Sequence, residues 1–529
     1  MSSKKLFARE ATGLVREISL WTAFFATFAE VEIPLGLLTY TSAPFLFPGT
    51  NLIIGTLITT IFSIFVSLMY TLITWTTPRT GADYVFTTRV LNPLLGFMSS
   101  FNNAFWYIFF LGIYFNWIIT VSLSPSLLVI GEITSNNVLI ALASKIATPY
   151  YVLIIGSVCL IIFIVILFLG TRFVFNITSG LFIISLIGYV LMLALMASVN
   201  NTIFISNFNK ISSISYSSII NIAHKNGYSI PKEFSPFSLL VSSLGIMPFV
   251  YLTTGFAIAT SYYAGEVKSI KKSAFYSQVL IAILSGLILI LFGVFSVRDF
   301  GYDFLGSIWY LSSVVPSLYP FPFPPYLNLF ISLLTKSAIL LWVLTFFYLI
   351  GILAGALPLF MIGSRLIFAW SFDRLLPVKL SEVKGERPIY ILILIACLVI
   401  IDLILYTLTS FLSFYSGATL GFTLGFMIVC FAAIIFPYRN KDLFEKSSAN
   451  IKFAKIPLIT IAGVVSLAFY GTMAYFLLTN PLYGANTLIV YVAIFVIWLI
   501  AALIYITSHY YHKSKGIDLK MIFQEIPPE

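Results

Sequence analysis

Phe28-Ala29-Glu30-Val31-Glu32-Ile33-Pro34-Leu35-Gly36 stands in the middle of an apolar run over residues 18–42. A run of that length crosses a hydrocarbon core, which takes about 20 residues of helix. Glu30 lies roughly 18 Å along such a helix, close to the membrane middle. Residues two apart on a regular helix face nearly opposite sides, so both carboxylates cannot point into one bundle interior. Pro34 removes a backbone N–H, and Gly36 loosens the turn beyond it. The expectation is an unwound segment over Ala29, Glu30, Val31, Glu32 and Ile33, with backbone groups freed to bind a ligand or ion. Carboxylates at this depth are costly and mark function by default. The plainer reading leaves Glu32 nearer the outer surface and merely wet.

The rest of the chain repeats the apolar theme. Of 529 residues, 60% are hydrophobic and 9% charged, and the mean hydropathy is +1.03. A soluble domain carries about a quarter charged residues, so a water-soluble globule is excluded. Cys159, Cys397 and Cys430 lie inside apolar runs, which argues for buried thiols and against a disulfide scaffold. His224, His509 and His512 fall outside the expected spans, so neither a metal centre nor an imidazole relay is expected. Spans are read near 18–42, 51–76, 94–122, 148–170, 179–199, 236–265, 274–297, 327–360, 388–408, 411–437, 457–479 and 485–507. Backbone groups in lipid are satisfied within their own segment, so these should be helices, about twelve in an all-α integral membrane protein.

Charge orients them. With the N-terminus inside, inner segments hold 23 basic residues and outer loops five, Lys145, Lys210, Lys225, Lys232 and Arg298. The positive-inside rule then puts both termini in the cytoplasm of a cell-membrane protein. It also explains the net charge of +10 without any nucleic-acid partner.

Loop lengths carry a second pattern. The third and eighth spans are followed by long connections, 123–147 and 361–387, and the fourth–fifth and ninth–tenth pairs by short ones, 171–178 and 409–410. Spans one to five and six to ten thus share a rhythm with opposite orientation, as inverted-repeat transporters do. This divides the chain into a cytoplasmic tail (1–17), a first repeat (18–199), an outer loop (200–235), a second repeat (236–437), a cytoplasmic loop (438–456), two further spans (457–507) and a cytoplasmic tail (508–529). The outer stretches 200–235 and 298–326, the first Asn- and Ser-rich and the second with five prolines, read as surface connections.

The sixth span is the counterpart of the first. Its Thr253, Thr254, Gly255, Phe256 and Ala257 offer hydroxyls and amides to a polar ligand if the helix opens there. A glycine in such a helix also serves as a packing contact. Asn102, Asn103, Trp106, Tyr107 and Tyr114 give the third span a polar and aromatic character suited to a pathway or to packing. Lys336 is a candidate partner for Glu30 or Glu32, or an interfacial lysine. Asp402 reads as a residue paired to a neighbouring hydroxyl. The chain holds no Gly-x-x-x-x-Gly-Lys-Ser/Thr nucleotide loop, no His-Glu-x-x-His and no Gly-x-Ser-x-Gly. An integral-membrane enzyme would need catalytic residues clustered at one face, and none is seen. A substrate sensor on a transporter fold is the alternative, since fold does not fix function.

Three stretches resemble a known family. Thr77-Pro78-Arg79-Thr80-Gly81-Ala82-Asp83-Tyr84-Val85 with Arg89 to Phe97, Tyr263 to Lys268 (YAGEVK), and Gly363-Ser364-Arg365 through Asp373-Arg374-Leu375-Leu376-Pro377 are similar to segments of permeases of the amino acid-polyamine-organocation (APC) superfamily. The resemblance implies a LeuT-type fold, a five-plus-five inverted repeat with two further C-terminal helices, and a substrate held between the broken first and sixth helices. It implies a secondary transporter for an amino acid or related amine, working by alternating access without a cofactor. The matching binding positions are Ala29 to Pro34 and Thr253 to Ala257, with Asn103 and Tyr107 as candidates on the third span. Glu30 and Glu32 depart from the family's small or amide residues, and Ser269-Ile270 from its Asn-Pro. Two carboxylates repel an amino-acid carboxylate unless protonated or paired. Hence the partner is a cationic substrate, or a coupling proton or sodium ion at Glu30, Glu32 or Lys336, in a protein otherwise surrounded by membrane lipid.

Overall fold

Hydrophobic length dictates the architecture, and caps set its boundaries. The computed structural model describes residues 15–231, 235–321, 323–383, 387–409 and 415–524. The expectations for residues 1–14, Lys232, Pro322, the start of the tenth span and residues 525–529 lie outside them. Ten helices among the described residues are long and apolar enough to cross a membrane. They are α3 (Leu52–Thr76), α5 (Pro93–Thr134), α6 (Pro149–Phe168), α7 (Thr171–Ser198), α10 (Ile270–Phe300), α11 (Ala338–Phe372), α12 (Ile389–Leu408), α13 (Tyr415–Arg439), α14 (Leu458–Thr479) and α15 (Leu488–Ser514). A bent pair, α8 (Pro236–Leu244) and α9 (Met247–Thr254), turns by 49° and makes an eleventh span if counted as one. The first apolar run is two short helices, α1 (Leu20–Glu30) and α2 (Ile33–Tyr40). The protein is all-α and membrane-integral, with one two-stranded hairpin at Lys452–Phe453 and Ile456–Pro457.

Local chemistry fixes the ends. The Asn51 side chain accepts from the amides of Ile53 and Ile54 to start α3, and Asn92 accepts from Leu94 ahead of Pro93 to start α5. Both caps satisfy amides that have no partner in the first turn. Within α3, Thr56, Thr59 and Thr60 donate to carbonyls one turn back, so their hydroxyls are satisfied in an apolar setting. Gly81, at φ +98°, turns the chain into α4 (Ala82–Val90), an inner helix between α3 and α5.

Two regions are more ordered than their composition suggests. The third span does not end near 122. It passes through a π turn at Ile118–Leu123 and continues to Thr134, and a helix at Asn137–Ile146 follows. The outer stretches hold helices at Asn201–Ile211, Tyr216–Lys225 and Tyr302–Val314. Phe204 packs there against Phe300, Phe304 and Phe330, which joins these helices to the apolar core of the bundle.

Candidate functional site

The break in the first span falls where the sequence places it. The Val31 amide still reaches Thr27 O at 3.2 Å, and the Glu32 amide bends to Ala29 O at 3.2 Å. Glu32 itself takes φ +53°, a left-handed conformation that costs a residue with a Cβ about 1–2 kcal/mol. Pro34, which has no N–H to donate, opens α2. Strain of this kind persists where surroundings over-determine it, and α11 supplies them. A Cβ added at Gly355 would lie 2.8 Å from Glu32 Oε1, and one at Gly351 3.1 Å from Pro34 Cγ. Two glycines on one face of α11 therefore let the strained turn approach.

The carboxylates come together in spite of their spacing. Glu30, Glu32, Tyr107, Phe110, Tyr114, Leu252, Phe256, Leu359 and Phe422 line a cavity of about 20 Å³, room for about a water molecule. Glu30 is 2% and Glu32 6% exposed. Both Glu30 oxygens, Glu32 Oε1, and the Tyr107 and Tyr114 hydroxyls are buried without a hydrogen-bond partner. Buried polar groups are nearly always satisfied, so five such atoms around one cavity mark a polar site. The remaining wall is apolar and mostly aromatic: Tyr107 packs against Phe256 and Phe422, and Phe110 stacks on Phe422. Carboxylates and ring faces both attract cations.

The other expected residues divide. Phe256 lines the cavity, whereas Thr253 and Thr254 are still helical, because α9 ends at Thr254 and the chain unwinds over 255–258. Thr254 donates to Val250 O and pairs with the Ser63 hydroxyl at 2.8 Å. The Thr253 hydroxyl is buried and unpaired, facing Gly36 of α2. Gly255 packs on the Tyr251 ring, and the Ala257 carbonyl accepts from Ser67. Ala29, Val31 and Ile33 are buried at the turn. Asn103 accepts from Asn102 and faces Gly425 of α13, away from the cavity lining. Its neighbours are structural: Asn102 donates to Gly421 O and accepts from Trp106 and Trp498. Lys336 does not belong to the site. It is exposed, precedes α11, and lies beside Lys210, whose hydrogen bond and then charge lower its pKa. Sequence reasoning named no role for Phe110, Leu252, Leu359 or Phe422, since an apolar residue in an apolar helix carries no signal of what it faces.

Beneath the cavity, at the end of the bundle that carries both described termini (the inner end), the three quoted motifs meet. Arg365 grips Glu266 with two bonds of 2.7 Å, and both residues are about 1% exposed. Arg89 pairs with Asp373 at 2.8 Å, and the Tyr84 hydroxyl donates to Asp373 at 2.9 Å. The Gly81 amide donates to Tyr262 O, and Thr80 bridges Tyr263. Asp83 accepts from the hydroxyls of Tyr70 and Tyr262, both at 3.0 Å. Burial pushes the Asp83 carboxyl up to about 6 against those bonds. Thr27 on α1 joins Thr260 and Tyr263 in a hydroxyl cluster between this layer and the cavity.

A family model described as amino acid permease matches residues 18–501. The chain belongs to the amino acid permease family. The match covers both helix breaks, the cavity and all three inner motifs. The permease is thus a multi-pass membrane transporter for amino acids, in a family of transporters and not of enzymes. None of the curated proteins searched matches the chain.

Proposed function

We propose that the permease is a secondary transporter for an amino acid or related amine, working by alternating access between the paired breaks. The observation that carries this reading is the cavity at Glu30 and Glu32, where five buried polar atoms lack partners beside an aromatic wall. An occupant must satisfy acceptors and tolerate negative charge. A substrate ammonium, a proton or a sodium ion does both, whereas a substrate carboxylate requires one glutamate to be neutral first. Because no lysine, arginine or histidine among the described residues lines the cavity, the compensating cation comes from outside the protein. Substrate binds at the strained turn between α1 and α2, the amine toward Glu30 and Glu32 and the side chain against Phe256 and Phe422.

On this reading residues 18–199 and 236–437 form inverted repeats, with spans 457–507 appended. The protein lies in the cell membrane with both termini in the cytoplasm, as the 23 inner basic residues favour. The inner ion pairs then form a cytoplasmic gate, closed here, which parts as α1 and the chain after α9 move. The test is uptake into proteoliposomes of neutral, acidic and dibasic amino acids and a polyamine, with and without a pH or sodium gradient. Gradient-driven uptake in wild type, lost in Glu30→Gln, is expected. Full uptake in that variant overturns the role of Glu30, and ligand binding without any uptake makes the protein a sensor.

A further inference from the structure

Asp402 takes no part in that cavity. The cavity residues of α5 are Tyr107, Phe110 and Tyr114, while Phe101, Phe105, Ile108 and Gly112 point the opposite way on the 3.6-residue repeat. On that second face α5, α11 and α12 leave a groove of about 300 Å³, lined by apolar side chains and one carboxyl, Asp402. Phe105, Leu398 and Ile401 on its rim are 38%, 39% and 54% exposed, so the groove opens toward lipid.

The carboxyl is built in. Asp402 is 7% exposed, and its Oδ2 is buried with no hydrogen-bond partner. Gly112 makes the space for it, since a Cβ there would lie 2.1 Å from Oδ2 and 2.7 Å from Cγ. Of the nearby polar groups, Asn116 of α5 is otherwise engaged: it donates to Thr407 and accepts from Thr120. Among the described residues no basic side chain lines the groove. The pairing to a neighbouring hydroxyl expected from the sequence is thus not found at Oδ2. A carboxyl with a buried, unserved oxygen inside a membrane helix is disfavoured and marks a ligand or pathway.

We propose that this groove holds a bilayer lipid through a hydroxyl that donates to Asp402. Leu394 and Leu405 mark its ends on α12, about 16 Å apart along the helix, which suits one fatty chain. Asp402 is six residues from the outer end of α12 at Leu408, about 9 Å below it. The head therefore meets Asp402 and the chain runs toward Trp370 and Leu376 at the inner end. At that depth a hydroxyl is carried in at far lower cost than an ammonium, because desolvating a charge exceeds desolvating a neutral donor.

The test uses the full chain in nanodiscs with hexadecanol bearing a diazirine in its tail. Crosslinked peptides are mapped, and unlabelled hexadecanol, its methyl ether and hexadecylamine compete. Saturable labelling between Leu394 and Leu405 is expected, with the alcohol competing about tenfold or more better than the ether, as a bond to a carboxylate gives. Asp402→Leu should bring alcohol and ether to parity, and Leu398→Trp, which fills the groove and leaves Asp402 intact, should abolish labelling. If Asp402→Leu fails to fold, the wild-type preference and Leu398→Trp still decide. Non-saturable labelling, or equal competition by alcohol and ether in wild type, overturns the proposal and leaves a surface bathed by ordinary lipid. Competition led by the amine alone overturns the hydroxyl and assigns a cation.

Discussion

Glu266→Ala should open the inner end of the permease. Glu266 and Arg365 are both buried and joined by two bonds of 2.7 Å. Removing the carboxylate leaves the guanidinium with the hydroxyls of Ser364 and Thr171. Breaking one side of a buried pair costs about 3–5 kcal/mol, mostly from the charge left behind. If water reaches Arg365 in the open arrangement, that cost falls on the closed one alone. Even about 3 kcal/mol changes the ratio of the two by roughly 150-fold, so a closed-to-open ratio of about 99:1 becomes close to even. The assay places a cysteine at Thr27, in the hydroxyl cluster between gate and cavity, and measures its reaction with a membrane-impermeant maleimide in inside-out vesicles. Reactivity should rise at least about tenfold in Glu266→Ala and return toward the parent in the exchange Glu266→Arg with Arg365→Glu. Unchanged reactivity with intact folding would refute the reasoning, because the pair would then hold the fold and not a gate.

Three further outcomes follow from the same geometry. Asp83 is raised to about 6 by burial, so its contribution to the closed inner end is present below the ordinary carboxylate range and lost as pH rises through about 6. Raising the inner pH from about 5 to about 7 should therefore increase Thr27→Cys labelling in the parent by more than the rise in thiolate alone, whereas Asp83→Asn should show only that rise. Gly355→Ala would bring a methyl to 2.8 Å from Glu32; we expect transport to fall about tenfold or more with a shift in melting temperature of only a few degrees, read by uptake and thermal unfolding. Tyr107→Phe removes a buried hydroxyl that has no partner. It should leave thermal stability unchanged or raised and weaken substrate affinity, and a stability loss above about 1 kcal/mol would show a structural bond instead.

Much of this was legible in residues 28–36. Two carboxylates, a proline and a glycine within nine residues are incompatible with one straight apolar helix, so the unwound turn follows from backbone chemistry alone. Spans were legible because lipid requires long apolar segments, and caps such as Asn51 and Asn92 mark their starts. The opening expected over Thr253 to Ala257 begins at Gly255, because α9 runs on through Thr254. Thr253 and Thr254 favour neither state strongly, and packing of Thr254 on Ser63 completes the turn. The cavity wall was hidden for a physical reason. In a bilayer both faces of a helix are apolar, so Phe110 and Phe422 look no different from lipid-facing neighbours. The motifs could be quoted, but the pairing of Glu266 with Arg365 and of Arg89 with Asp373 joins residues 99 and 284 positions apart. Only the folded chain reveals it. Lys336 was left between two readings, because an apolar run on both sides does not tell a spanning lysine from an interfacial one, and it lies exposed ahead of α11.

The central claim is that the partnerless carboxylates at the first-helix break receive a cation from outside the protein. Carbodiimide labelling tests it most directly, since the reagent enters apolar sites and attacks the protonated carboxyl. Purified permease in lipid would be treated across a pH series with lysine, arginine, putrescine, leucine or sodium, and modified residues identified by mass spectrometry. The account predicts modification at Glu30 or Glu32, declining as pH rises and suppressed by saturating amounts of whichever cation the uptake assay identifies. Modification at both glutamates that no cation in the panel slows would contradict it.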